Sequence, residues 1–411
     1  MPHRERSNRI RFGDQSLSAI KQNTTETHRT CTPAETFERF RPFMPAMGIT
    51  RVANITGLDH LGVHVYTAIR PNSRSLATSQ GKGLDRSAAR TSALMESIEM
   101  FHAEFITSPL WNDTPAQMAR RGAVIDVARL PRRPGVELNP RYTRNWIAGY
   151  DLSRQQSVYV PFEAVALSRT GSRGANPWVA GTTGLASGNH LLEAITHALC
   201  EIIERDAVRL WRESRAARKL DLTTIDDPAC RQLIEQIERA GLHLTLHVLP
   251  TDIDVTVLVC DLVPRPDSAR WEQVFYAQGY GCHLSPRIAL IRAVTEAAQS
   301  RLTSIAGNRD DVSFRAYDWH RTVGIDDAQW AEIARPGAAD FRHQRDLSTP
   351  AFEQDVALLL ERLRTVGLDS VVVVDLTRPE FGIPVVKVLV PNTETSFGAP
   401  GARVRAAIGA T

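Results

Sequence analysis

The chain has 411 residues, 43% of them hydrophobic, enough for one large domain or two ordinary ones with a full core. A net charge of +3, with no basic run interleaved with aromatics, argues against nucleic acid, and no apolar run approaches the ~18 residues needed to span a bilayer. Five scattered cysteines without C-x-x-C spacing read as reduced thiols, and the polar, Arg-rich start has no secretory h-region, so the expected setting is the cytoplasm.

Residues 1–28 are polar and patternless and are expected to be a mobile arm, with one domain over 29–411. Thr32-Pro33-Ala34-Glu35 has the form of an N-cap, a proline at the first helical position and a capping-box acid, opening a helix through Phe43. Alternation from Ile49 to Ile69 predicts strands around a Gly57-Leu58-Asp59 turn. Lys82-Gly83 leads into a long helix over 86–105, and 112–145 reads as loops with short elements. A strand at 158–161 and a mobile Gly/Ser/Arg loop at 168–177 follow. The Gly-rich 181–189 segment feeds a second long helix over 190–216. Strands are expected at 242–249, 255–262 and 274–280, then a third long helix with Pro286 in its first turn. A polar helical stretch over 327–347, a helix over 349–366, strands at 371–375 and 385–390 and a Gly/Ala tail complete the chain. Strands and helices mix without regular βαβ alternation, which predicts an α+β fold, and the turn–helix–acid theme recurs three times as a loose pseudo-repeat.

Those three long helices carry the chemistry. The first holds Glu96 and Glu99 one turn apart; the second holds Glu193, Glu201, Glu204 and Arg205; the third holds Arg292, Glu296 and Gln299. At about 100° per residue, Glu193, His197, Glu201 and Glu204 share one face within about 80°, and Arg292, Glu296 and Gln299 share one within about 60°. Each acid taken singly could be a solvated side chain paired with Arg205 or Arg209. As a set among Ala, Leu and Ile, they read as carboxylates gathered round metal ions, with arginines placed for a polyanion. Only four of the 49 basic residues are lysines (Lys21, Lys82, Lys219 and Lys387), so Lys82, between Gly81 and Gly83, hints at a required point charge. Familiar motifs fail. Leu76 and Gly83 stand where a Walker A loop needs Gly and Ser/Thr, and Gly279-x-Gly281 lacks the third glycine of a dinucleotide fingerprint. In Gly184-Leu185-Ala186-Ser187-Gly188 the Ser falls one position late for a nucleophile elbow, and His197 reads as a core or supporting histidine.

Three blocks, Ser79-Gln80-Gly81-Lys82-Gly83 with Ser92–Glu99, Gly184–Asn189 with Glu193 and Glu201–Asp206, and Arg292–Arg301, together resemble the YcaO family. The resemblance runs from about residue 45 to the C-terminus. It implies an ATP-binding fold without a P-loop, in which Glu96, Glu99, Glu201 and Glu204, with Glu193 beside them, match magnesium-binding acids. It further implies nucleotide contacts from Ser79, Lys82, Asn189, Glu193, Arg205, Arg292 and Glu296, and upstream from Arg29 and Thr36, with ATP and Mg²⁺ as cofactors. Family members activate a backbone amide of a ribosomal peptide or protein by O-phosphorylation. The chain ends Ala406-Ala407-Ile408-Gly409-Ala410-Thr411, without the Pro-x-Pro-x-Pro tail of many azoline-forming members. Segments 48–59 and 375–379 resemble the TfuA-associated branch, which implies thioamide formation with a TfuA-like partner. Azoline formation and ATP-driven peptide hydrolysis are the alternatives, and a non-catalytic binding subunit is the rival class. The expected assembly is a homodimer.

Overall fold

The computed structural model describes residues 9–167, 176–179, 181–266, 276–313, 315 and 325–393. The C-terminal residues used above to weigh the tail lie outside them, as does all of the 168–177 loop except 176 and 177.

In chain order, β1 (Ile10–Phe12) and β2 (Gln15–Leu17) form a hairpin, followed by α1 (Pro33–Phe40). The Thr32/Glu35 capping box is present in full, as the sequence spacing predicts. An antiparallel meander of β3 (Arg51–Asn54), β4 (His64–Ile69) and β5 (Thr78–Gly83) then feeds α2 (Arg86–Glu104), whose N-cap is Asp85. The stretch expected to be loops holds β6 (Leu110–Asp113) and α3 (Pro115–Arg121), capped by a second capping box at Thr114 and Gln117. Next come β7 (Arg144–Asp151), β8 (Gln156–Pro161), β9 (Leu185–Ser187) and the long α4 (Leu191–Ser214).

A second meander follows β10 (Arg218–Asp221) and α5 (Pro228–Arg239): β11 (Leu242–Val248), β12 (Val257–Pro264) and β13 (Ala277–Cys282), leading into α6 (Pro286–Ala306). The predicted 327–347 helix is in fact α7 (Asp327–Ala334), β14 (Ala339–Asp340) and a 3₁₀ turn. Pro336-Gly337 ends the helix by crossing β10 so closely that a Cβ on Gly337 would stand 2.0 Å from the Leu220 carbonyl. α8 (Phe352–Thr365), β15 (Val372–Asp375) and β16 (Val385–Leu389) complete the fold.

The architecture is α+β. The larger sheets run β6-β7-β15-β16-β9, with β8 also paired to β7, and β13-β12-β11-β10-β14. Alternation decides what each face of the first sheet meets. Val372, Val374 and Val385 pack with α2, whereas Val373, Val386 and Val388 pack with α4 and α8. A third core lies between α5, α6 and the second large sheet.

Two glycine pairs set the helices close to their strands. A Cβ at Gly81 would lie 1.9 Å from the Ala93 amide nitrogen, and one at Gly279 would lie 2.1 Å from that of Ala297. Gly-x-Gly is therefore a packing device, letting α2 and α6 lie directly on their own strands.

The arm before α1 makes specific contacts over 18–30. Ser18 Oγ and the Ala19 amide donate to Glu353, Lys21 pairs with Asp355 at 2.5 Å, and the Leu84 amide donates to Glu26 at 2.5 Å.

Candidate active site

The strand–helix junctions bring α2, α4 and α6 around one cavity of about 440 Å³. Every candidate metal- or nucleotide-binding residue named from the sequence lines it, including Ser79 and Thr36 from the strand and helix flanking the entry to α2.

From α2, Glu96 Oε2 accepts from the Gln80 amide at 3.2 Å, and Glu99 Oε1 accepts from the amide and hydroxyl of Ser187 at 2.8 and 2.7 Å. Desolvation by the cavity walls pushes the Glu96 carboxyl up to about 7 and that of Glu99 to about 8, against 4.5 in water, although Glu96 stays exposed and Glu99 half-buried at the cavity surface. From α4, Glu201 Oε2 accepts from the Gly184 amide at 3.0 Å. Arg205 Nη2 stands 3.7 Å from both Glu201 Oε1 and Glu204 Oε1. Burial raises Glu204 to about 7, and among the described residues its Oε2 has no hydrogen-bond partner.

Glu193 is differently placed. Its Oε1 accepts from Arg29 Nη1 and the Asn189 amide, both at 3.3 Å, and its Oε2 accepts from the amide and hydroxyl of Thr30 at 3.0 and 2.9 Å. Both oxygens thus hold the N-terminal arm against α4. Asn189 Nδ2 donates to Thr36 Oγ1 at 2.9 Å, and Asn189 Oδ1 has no partner among the described residues.

From α6, Glu296 accepts from Lys82 Nζ at 3.0 Å and from the Tyr280 amide at 3.4 Å. Burial would raise this carboxyl, but Lys82 and Arg205 together outweigh burial and hold it below the usual value. Lys82, the lysine between two glycines, also donates to Gln299 Oε1 at 3.0 Å, so β5 reaches across to α6. Arg292 Nη1 lies 3.3 Å from His197 Nδ1, and Arg292 Nε has no partner among the described residues. His197 is half-buried at the cavity wall, and desolvation pushes its pKa far down; a neutral ring accepting from Arg292 fits the supporting role expected of it.

Three carboxyls pushed upward, on the exposed Glu96, the half-buried Glu99 and the buried Glu204, suit added positive charge, as does a Glu204 oxygen unpartnered among the described residues, and the free edges of Arg292 and Asn189 suit a ligand with acceptors and donors. Among the described residues no three Asp, Glu, His or Cys side chains converge on a single ion position. That fits Mg²⁺, which keeps water and takes one or two carboxylates together with phosphate oxygens. The sequence pointed to the helical acids but missed the strand amides and Ser187 that orient them. It also missed Arg309 and Glu26 on the cavity wall. Backbone donors leave no compositional trace, although Ser187 stood inside a motif already singled out.

A cavity lined by acids from one side and arginines from another, on an α+β scaffold without a P-loop, defines a nucleotide–metal site of its own class. Residues 80–394 match the family model described as YcaO cyclodehydratase, ATP- and Mg²⁺-binding, and the chain belongs to the YcaO family, whose members are ATP-dependent enzymes. An uncharacterised protein in the tfuA 3′ region of Rhizobium leguminosarum bv. trifolii is 38% identical over 384 residues, 90% of this chain and 89% of that protein. An uncharacterised Methanothermobacter thermautotrophicus protein is 34% identical over 92% of this chain and 98% of its own length. Among solved structures, YcaO from Methanopyrus kandleri bound with AMPPCP and Mg²⁺ matches with TM-score 0.71 at 24% identity, covering 91% and 94% of the two chains. A heterocyclase in complex with substrate and cofactor matches with TM-score 0.77 at 22% identity, over 93% of this chain and 55% of that one. ATP and Mg²⁺ are the protein's cofactors. Among the described residues, no helix is long and apolar enough to cross a membrane.

Proposed function

We infer that the protein activates a backbone amide of a ribosomally made peptide or protein with ATP, and that it does so for thioamide formation together with a TfuA-type partner. The observation that carries the amide-activation reading is the pairing, in one cavity, of raised carboxyls on α2 and α4 with Arg205 and Arg292. An amide oxygen is a weak nucleophile, so its phosphorylation needs in-line placement and neutralisation of charge on the transferred group. Glu96, Glu99, Glu201 and Glu204 would hold Mg²⁺, which supplies charge neutralisation at the triphosphate. Arg205 and Arg292 offer planar forks to phosphate oxygens, while Lys82 orients Glu296. Glu193, with both oxygens engaged, serves to fix Arg29 and Asn189 at the cavity wall. The amide oxygen takes the γ-phosphoryl group, a sulfide attacks the carbon, and phosphate leaves with the former amide oxygen.

The tfuA-region relative supports the sulfur branch, and the heterocyclase neighbour supports cyclodehydration as the second reading. Product mass separates them. With ATP, a sulfide source and the partner protein, the thioamide gains about 16 Da, whereas an azoline loses about 18 Da and hydrolysis gives two fragments, all from one activated amide. Water loss by the enzyme alone would overturn the thioamide reading. An unchanged peptide despite tight ATP binding would favour a non-catalytic subunit.

A further inference from the structure

Three of the chain's four lysines donate to main-chain carbonyls: Lys21 to Thr349, Lys219 to Ile333, and Lys387 to both Gly181 and Thr183. A chain that otherwise uses Arg keeps Lys where a compact, tetrahedral donor meets closely spaced oxygens. Lys387 is the most enclosed of the four, only 3% exposed in the middle of the apolar strand Val385-Val386-Lys387-Val388-Leu389. Among the described residues no carboxylate lies within salt-bridge distance of it. Burying an ammonium with only the more distant Glu201 as counter-charge is costly, so a methionine of similar length would suit this core better unless the donor itself were required.

What the donor holds is a turn on the cavity wall. Lys387 Nζ lies 2.5 Å from the Gly181 oxygen and 2.9 Å from that of Thr183, the two residues flanking the cavity-lining Thr182. The next residue of β16 grips the same turn, since the Val388 amide donates to the Gly184 carbonyl at 2.7 Å. Gly184 has φ +78°, and a Cβ there would meet the Val388 oxygen at 2.4 Å, so only glycine fits. The Gly184 amide so placed is the one that donates to Glu201 at 3.0 Å.

We propose that Lys387 is a positioning residue, holding the Gly181 and Thr183 carbonyls so that the turn presents the Gly184 amide to Glu201 and fixes that carboxylate for the cation. The proposal rests on reading Glu201 as a magnesium-binding acid.

The test uses the full chain with Lys387→Met, Lys387→Gln, Glu201→Gln and the Lys387→Met/Glu201→Gln double variant. Two quantities are read: amide hydrogen exchange across 181–187 without nucleotide, and Mg-ATP affinity by calorimetry. Lys387→Met should speed exchange at Gly184 about tenfold. It should weaken Mg-ATP about tenfold in the native background but less than about twofold beside Glu201→Gln, because the effect passes through that acid. Lys387→Gln, which keeps a donor, should fall between, and it carries the same test if the Met variant does not fold. A lower melting temperature with unchanged exchange at the turn would overturn the proposal, as would a loss of affinity fully additive with Glu201→Gln. If the native protein bound no Mg-ATP, the reading of the site would fail, while exchange at Gly184 would still decide whether Lys387 sets the turn.

Discussion

The meander β3–β4–β5 with α2 and the meander β11–β12–β13 with α6 are built alike and charged differently. In each, a Gly-x-Gly strand lies on an alanine-lined helix, at Ala89 and Ala93 in one and at Ala289, Ala293 and Ala297 in the other. In each, a strand amide donates to a glutamate on that helix, Gln80 to Glu96 and Tyr280 to Glu296. Yet desolvation in the cavity leaves Glu96 raised to about 7, whereas Glu296, held by Lys82 and Arg205, stays below its ordinary value. The residue between the glycines makes part of that difference: Lys82 reaches over to the other unit's helix, whereas Tyr280 packs with α4. The same backbone device thus yields a wall suited to cations and a wall suited to phosphate, and the polarity is written by a few side chains.

The likeness breaks first at the glycines. Gly81→Ala and Gly279→Ala each drive a Cβ into helix backbone that cannot swing aside, and each should cost about 3 kcal/mol or more in denaturant unfolding. Tolerance at one site alone would show the units to be unequal in packing as well as charge. Next come the acids. Glu99→Gln or Glu204→Gln should abolish ATP turnover without lowering the melting temperature at pH 8, since each removes an acid already reluctant to ionise. Unchanged Mg-ATP affinity in both variants would refute the cation wall.

The arginine wall should respond differently. Arg292→Ala is expected to weaken ATP by about 1.5–3 kcal/mol, the range for a hydrogen bond to a charged group, with the Mg²⁺ requirement unaltered. A purely structural arginine would lower the melting temperature instead. The smallest effect is that of pH. Glu96, Glu99 and Glu204 have folded values above the 4.5 of an unfolded chain, so the folded state binds more protons between about pH 4.5 and 8. Stability of the nucleotide-free protein should therefore decline as pH rises through that window, while Mg-ATP affinity, which needs the ionised forms, should increase. Differential scanning calorimetry at about pH 5.5 and 8.5 reads the first and titration calorimetry the second; parallel trends would contradict the assignment.

Local signals made α1, α2, α4 and α6 legible, because caps, glycines and helical spacing act within a few residues. The acids were legible for the same reason, since carboxylates on apolar helix faces announce a partner. β9 was hidden in a Gly-rich segment because its three residues form a strand only by pairing with β16, nearly 200 positions away. β7 was missed because its apolar and polar residues follow neither period, as it pairs with β6, β8 and β15. Gly279 and Gly281 were tested as a ligand-binding fingerprint. Their use, close contact with α6, depends on a helix the motif does not mention.

The N-terminal arm has a consequence for how the protein is made. Its contacts with α8 join Ser18 to Glu353 across 335 positions, and farther along the same arm Arg29 and Thr30 engage Glu193. On the ribosome, the arm's Ser18 emerges 335 residues before its α8 anchor Glu353. A nascent chain can fold its first meander early, but the cavity wall closes only once α8 has been made, so nucleotide competence arrives after that event and a chain halted before α8 should lack it.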